Sequence, residues 1–146
     1  MQRLLVGYDR SAGARRALDR AIAEARESAA SITVLSVFEV PLDLDVPRNF
    51  GTLDDISDRE GAALSPPPDV VDQLMEAREH LATAGIEADL LWAAGQPGQE
   101  LVETAARIRA HAIVIGEHHH GFLSGLFGAD VGAEVRQRAG CDVILA

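Results

Sequence analysis

Two stretches of the 146-residue chain combine residue types able to hold a polar or anionic ligand. The first, Asp9-Arg10-Ser11-Ala12-Gly13, places a carboxylate, a hydroxyl and a glycine directly after an apolar run at residues 4–8. The second, residues 117–127, carries His118, His119 and His120 among Gly116, Gly121, Gly125 and Gly128. A glycine-rich turn that opens a helix offers unpaired backbone N–H groups and the positive end of the helix dipole to an anion. The histidines suit two other chemistries. Imidazole binds zinc, copper or nickel, and it titrates near pH 6.5, so mild acid would add positive charge to the loop. Only His118 and His120 can share a face in an extended loop, and no cysteine pair exists to complete a four-ligand zinc site. A plain surface loop therefore ranks ahead of a metal centre, and no metal is expected. No Ser-His-Asp or Cys-His set can be assembled from the spacing, so no catalytic residue is assigned and the balance is against an enzyme.

The elements that must position these loops follow from periodicity. Residues 4–8 (Leu-Leu-Val-Gly-Tyr) read as a buried first strand. Ala17, Leu18, Ala21, Ile22 and Ala25 then recur at three- and four-residue intervals, which predicts an amphipathic helix with Ser11 as its N-cap. Residues 31–38, SITVLSVF, are rich in β-branched residues and predict a second strand. Val70, Val71, Leu74, Ala77 and Leu81 mark another helix, stopping before Gly85. A third strand is predicted at 86–92, and a helix opening at Gln96-Pro97-Gly98 follows it, with Leu101, Val102, Ala105 and Ile108 as its stripe. A fourth strand at 111–116, a helix carrying Val131, Val135 and Ala139, and a terminal strand at 141–145 complete the chain. Five strands alternating with four helices predict a doubly wound, all-parallel, Rossmann-like α/β sheet with helices on both faces. In such sheets the ligand lies beyond the carboxyl ends of the strands, where their order reverses.

Length and composition point to a single domain spanning residues 1–146. The net charge of −10 has the wrong sign for a broad nucleic-acid interface, so no nucleic-acid partner is expected. All 13 basic residues are Arg, which removes lysine chemistry. No run is long and apolar enough for a membrane span, the start lacks a signal peptide's apolar stretch, and the lone Cys141 cannot form an internal disulfide; a cytoplasmic location without a membrane partner is the expectation. Residues 39–66 break all periodicity. Between Glu39 and Glu60 stand seven acids and two Arg, a net charge of −5 and half of the total. This reads as a solvated, mobile insertion rather than an acidic binding surface. Trp92 is expected to cover a sheet edge, and Phe122, Leu123, Leu126 and Phe127 to seal the core beside the loop.

The chain resembles the universal stress protein family, of adenine nucleotide alpha hydrolase-like fold. LLVGYDRSAGARRALDRA is similar to the family's opening strand, acidic residue and helix; SITVLSV to its second strand; AGQPGQELVETAARIRAHAIVIG to its third helix and fourth strand; and GLFGADVGAEVRQRAGCDVILA to its last helix and strand. The resemblance implies a stress-response role without an established reaction, and a homodimer in which the terminal strands, here 141–146, meet. A terminal apolar strand would otherwise be an unprotected sheet edge. In the family's ATP-binding branch an Asp after the first strand and a Val on the second hold adenosine, which correspond here to Asp9 and Val37. The same branch cradles phosphate with a Gly-x2-Gly-x9-Gly-Ser/Thr loop. Gly116 matches its first glycine, but His119 stands at the second. Strict spacing puts the third glycine at Ala129 and the hydroxyl at Asp130; a one-residue deletion gives Gly128 followed by Ala129. The hydroxyl is missing either way, and Asp130 would repel phosphate. Two readings follow: a non-enzymatic dimeric stress-response or regulatory protein with a degenerate nucleotide loop and unknown protein partners, or an adenine nucleotide sensor for ATP or AMP using Asp9, Val37 and the 116–128 loop.

Overall fold

The computed structural model describes residues 2–39, 50–54, 66–117 and 129–146. Its elements in chain order are β1 (Arg3–Gly7), α1 (Ala12–Ser28), β2 (Ser31–Phe38), β3 (Phe50–Thr52), α2 (Pro68–Thr83), β4 (Ala88–Ala94), α3 (Pro97–Ile108), β5 (Ala112–Ile115), α4 (Ala129–Arg138) and β6 (Asp142–Leu145). One six-stranded sheet has the order β3-β4-β2-β1-β5-β6. β1 pairs in parallel with β2 and β5, β2 with β4, and β5 with β6.

The doubly wound α/β architecture is present, but the five-stranded, all-parallel expectation is corrected by β3. This strand comes from the acidic segment and pairs antiparallel with β4, Phe50 opposite Ala93 and Thr52 opposite Leu91. Residues 50–54 are thus part of the fold rather than a solvated insertion. Gly51 permits it: a Cβ there would sit 2.9 Å from the Trp92 ring, so a larger residue would push the strand off the sheet. Phe50 adds a cation–π contact, with the Arg107 guanidinium 3.8 Å from its ring centroid, and Asp54 pairs with Arg78 at 2.9 Å. Trp92 is fully buried under this edge, 5.9 Å from the Phe38 ring.

Side-chain alternation splits the core across the sheet. Leu4, Val6, Ile32 and Val34 face α1 and α2, while Leu5, Leu35, Val37, Ile113 and Ile115 face α3 and α4. β2, covered on both faces, is buried from Ile32 to Phe38, which explains why its sequence is apolar apart from the small hydroxyl residues Thr33 and Ser36, the latter donating to the Tyr8 carbonyl. Each fully buried Leu or Ile contributes about 1.5–3 kcal/mol. α1 turns Ala14, Ala17, Leu18, Ala21, Ile22 and Ala25 inward, and Ser11 caps it, its Oγ accepting from the Ala14 N–H at 3.0 Å. α1 and α3 end on Ala29 (φ 56°) and Arg109 (φ 57°), left-handed positions that glycine usually fills.

Candidate functional site

The strand order reverses between β1 and β5: from β1 the chain winds outward through β2 and β4, then returns to β5 and β6 on the other side. The turns leaving these two strands therefore frame a crevice at the carboxyl edge of the sheet. They touch directly. A Cβ on Gly116 would overlap the Gly13 carbonyl and lie 2.6 Å from its Cα, so only glycine lets the first turn of α1 approach the turn after β5. Arg16 Nη2 donates to the Glu117 carbonyl at 3.2 Å, and the Glu117 N–H donates to the Ala146 carbonyl at 2.9 Å, closing the crevice against the end of the chain. Gly116, expected as a phosphate-loop glycine, thus also has a packing reason to be glycine.

Asp9 is the polar group this arrangement prepares. Its Oδ1 accepts the Ser11 N–H at 3.0 Å, while Oδ2 is buried and has no hydrogen-bond partner among the described residues. Leaving a carboxylate oxygen buried without a donor is costly, and such orphans in native folds call for an explanation. Asp9 and Val37 each lie two residues beyond the paired Gly7 and Leu35, hence at one level of the sheet edge, and Val37 is fully buried. The first turn of α1 carries no acidic residue, and the Asp9 carboxylate, bonded to the N–H of the N-cap Ser11, stands at the positive end of its dipole. Of the remaining expected site residues, Ala129 opens α4, whereas His118, His119, His120, Gly121, Gly125 and Gly128 lie outside the described residues, as does the apolar cluster Phe122, Leu123, Leu126 and Phe127. Among the described residues no three His, Cys, Asp or Glu side chains converge as a metal would require.

The structure adds a cluster that sequence reasoning missed. Glu76 of α2 accepts the Tyr8 hydroxyl at 2.7 Å and Arg15 Nη2 at 3.2 Å on Oε1, and pairs with Arg10 Nε at 2.9 Å through Oε2. The Tyr8 hydrogen bond, with Arg15 and Arg10 beside it, holds the Glu76 carboxyl below its usual range. Burial, then the Glu76 carboxylate, pushes the Tyr8 hydroxyl up to about 12. Arg10 sits at φ 69°, a left-handed conformation unusual for a side chain with a Cβ. The only sequence signal was the lone tyrosine at the end of the first strand; nothing in the α2 pattern marks Glu76.

On the other face, Glu100 in the first turn of α3 is 3% exposed. Desolvation, then repulsion from Glu103, pushes it up to about 7 against the opposing pull of Arg107. Gly95 (φ 151°) makes room for it, since a Cβ there would lie 2.8 Å from Glu100 Oε2.

The model of the Universal stress protein family matches residues 1–146, and the chain belongs to that family. Universal stress protein YxiE of Bacillus subtilis (strain 168) is 26% identical over 154 residues, covering 98% of this chain and 97% of that protein. A universal stress protein solved in complex with cAMP is 26% identical with a TM-score of 0.71, covering 99% of this chain and 96% of its own. One from Archaeoglobus fulgidus in complex with dAMP is 23% identical with a TM-score of 0.65, covering 99% and 97%. No helix among the described residues is long and apolar enough to cross a membrane.

Proposed function

We propose that the chain binds an adenine mononucleotide in the β1/β5 crevice and acts as a non-enzymatic, nucleotide-responsive regulatory protein. The observation that carries this reading is the buried Oδ2 of Asp9, without a hydrogen-bond partner among the described residues, at the switch point of the sheet. An N–H of the adenine exocyclic amine supplies the donor that this oxygen lacks, while the side of the crevice at Val37 is apolar and suits the base. The similar protein that holds cAMP supports a ligand of one phosphate. So does the sequence of the loop, because Ala129 and Asp130 offer no hydroxyl for a polyphosphate and Asp130 adds a repelling charge. The two readings of the sequence thereby merge: a loop degenerate for ATP is compatible with AMP or a cyclic relative.

Dimerisation through β6 belongs to the same proposal. The outer edge of β4 is covered by β3, whereas β6 ends the described sheet with Val143, Ile144 and Leu145 half-buried. A second copy paired on that edge would remove the liability of an open apolar strand.

The test is calorimetric titration of nucleotide-free protein with AMP, cAMP and ATP, with mass spectrometry of small molecules released on denaturation. AMP or cAMP is expected to bind more tightly than ATP, and D9A to weaken binding at least about tenfold, the loss typical of a buried charge-assisted hydrogen bond. No released nucleotide and no heat with any of the three would overturn the reading. Sedimentation at micromolar concentration is expected to show a dimer that I144D disperses; a monomeric wild type would count against the β6 interface.

A further inference from the structure

We infer that Glu76 is a positioning residue for the ligand-reading carboxylate: through Arg10 it locks the turn that aims Asp9, although it lies on the opposite face of the sheet from Val37. The inference rests on the nucleotide reading for its binding consequence and on geometry for the lock itself.

Glu76 binds the residues on both sides of Asp9, Tyr8 through its hydroxyl and Arg10 through Nε. These two arms are not equivalent. The backbone of Tyr8 is held without Glu76, because its N–H donates to the Leu35 carbonyl at 2.9 Å and its carbonyl accepts the Ser36 hydroxyl at 2.8 Å. Arg10 has no such backbone support among the hydrogen bonds of the described residues, and its φ of 69° is one that a residue with a Cβ leaves readily when nothing holds it. The leverage of Glu76 on the turn therefore runs through Arg10. Once Arg10 relaxes toward negative φ, the Ser11 N–H moves relative to Asp9, and the 3.0 Å bond that orients the carboxylate is lost. A ligand would then meet a competent turn in only a fraction of molecules, and its apparent affinity falls by that fraction.

The test uses the full chain and three variants: E76Q, R10G and their combination. E76Q keeps an oxygen for the Tyr8 hydroxyl but removes the charge that pairs with Arg10. R10G removes the need for the lock, because glycine adopts the left-handed conformation freely. Two readouts are taken. The first, without ligand, is hydrogen exchange of the Ser11 amide by NMR, expected to quicken in E76Q about five- to tenfold while E76Q in the R10G background changes it less than about twofold. The second is the dissociation constant for AMP, expected to follow the same pattern. The chain's single tyrosine gives a spectroscopic check, since the absorbance titration of Tyr8 reports whether its arm of the cluster survives in E76Q. Unchanged Ser11 exchange in E76Q, or an equal effect of E76Q in the R10G background, would overturn the lock. Absence of AMP and cAMP binding by the wild type would instead sink the nucleotide reading, while the exchange data still decide the lock.

Discussion

Glu76 and Glu100 stand on helices that cover opposite faces of one sheet, and their surroundings drive their titrations in opposite directions. Glu76 keeps 36% of its side chain exposed and collects a hydroxyl and two guanidiniums. Glu100 is 3% exposed and faces Glu103 on its own helix, with Arg107 as the opposing charge. The difference teaches that desolvation beside a like charge holds a proton on a carboxyl up to neutrality, whereas a hydroxyl and two guanidiniums at a half-open site favour the ionised form. It also divides labour: the α1/α2 face stiffens the turn at Asp9 with charge, while the α3/α4 face carries a group whose proton count changes near pH 7.

The largest expected effect comes from breaking the contrast at Glu100. Its folded value of about 7 lies above the ordinary carboxyl value of 4.5. Its contribution to stability is therefore full below pH 4.5 and is lost as pH rises through 7, because the unfolded chain ionises first. E100Q should exceed the wild type in stability by on the order of 2 kcal/mol at pH 8, with the gain shrinking toward zero at pH 4.5. Urea unfolding of both proteins at pH 4.5, 6 and 8 measures this. A gain independent of pH would show that Glu100 is not held protonated.

Glu76 should behave with the opposite sign. Its lowered value gives stability that is present above the ordinary carboxyl range and lost as pH falls through the folded value. E76Q is expected to cost about 1 kcal/mol at pH 7, discounted from a buried charged hydrogen bond because the site is half open, and to cost little in strong acid. The same urea series reads this. Equal slopes for E76Q and E100Q against pH would abolish the comparison.

Why one part of this molecule was legible in the sequence and another was not follows from the range of the forces. The strands at residues 31–38 and 112–115 are covered on both faces and are legible as a β-branched-rich segment and an apolar run; α1 and α3 left stripes at helical spacing and readable starts at Ser11 and Pro97. β3 left no trace, because three residues set no period and their pairing is dictated by the edge of β4, Gly51 over Trp92 and Arg107 over Phe50. Asp9 was legible as a carboxylate following a strand, and the crevice followed from the topology. Glu76 was not, since it meets the turn from 66 to 68 residues away in sequence, and no local pattern encodes that meeting. Arg10 and Arg109 concealed left-handed turns behind a residue type that does not announce them.

Tyr8 offers a smaller effect on the Glu76 side. With its hydroxyl raised to about 12 from 10, it adds stability that is full below pH 10 and fades as pH rises through 12. Y8F removes this dependence along with the bond to Glu76, at an expected cost of about 1 kcal/mol at pH 8. Thermal melts of wild type and Y8F between pH 8 and 11 should converge as the pH rises; a constant gap would place the tyrosine proton outside the balance.

The smallest effect sharpens the Glu100 side. Arg107 both lowers the Glu100 value and stacks on Phe50, so R107Q removes a cation from a buried carboxyl and a clamp from β3. An exposed cation–π contact is worth about 0.5–1 kcal/mol, and that loss should not depend on pH. The electrostatic part should: without Arg107 the stability gain of E100Q begins to fall off at a higher pH, since Glu100 holds its proton longer. A double-mutant cycle of R107Q and E100Q at pH 6 and 8 separates the two. A coupling that differs between the two pH values belongs to the carboxyl, and a loss that persists in the E100Q background belongs to the ring of Phe50. If R107Q left the pH profile of Glu100 in place, desolvation and Glu103 alone would set its value, and Arg107 would serve only to hold the antiparallel strand on the sheet.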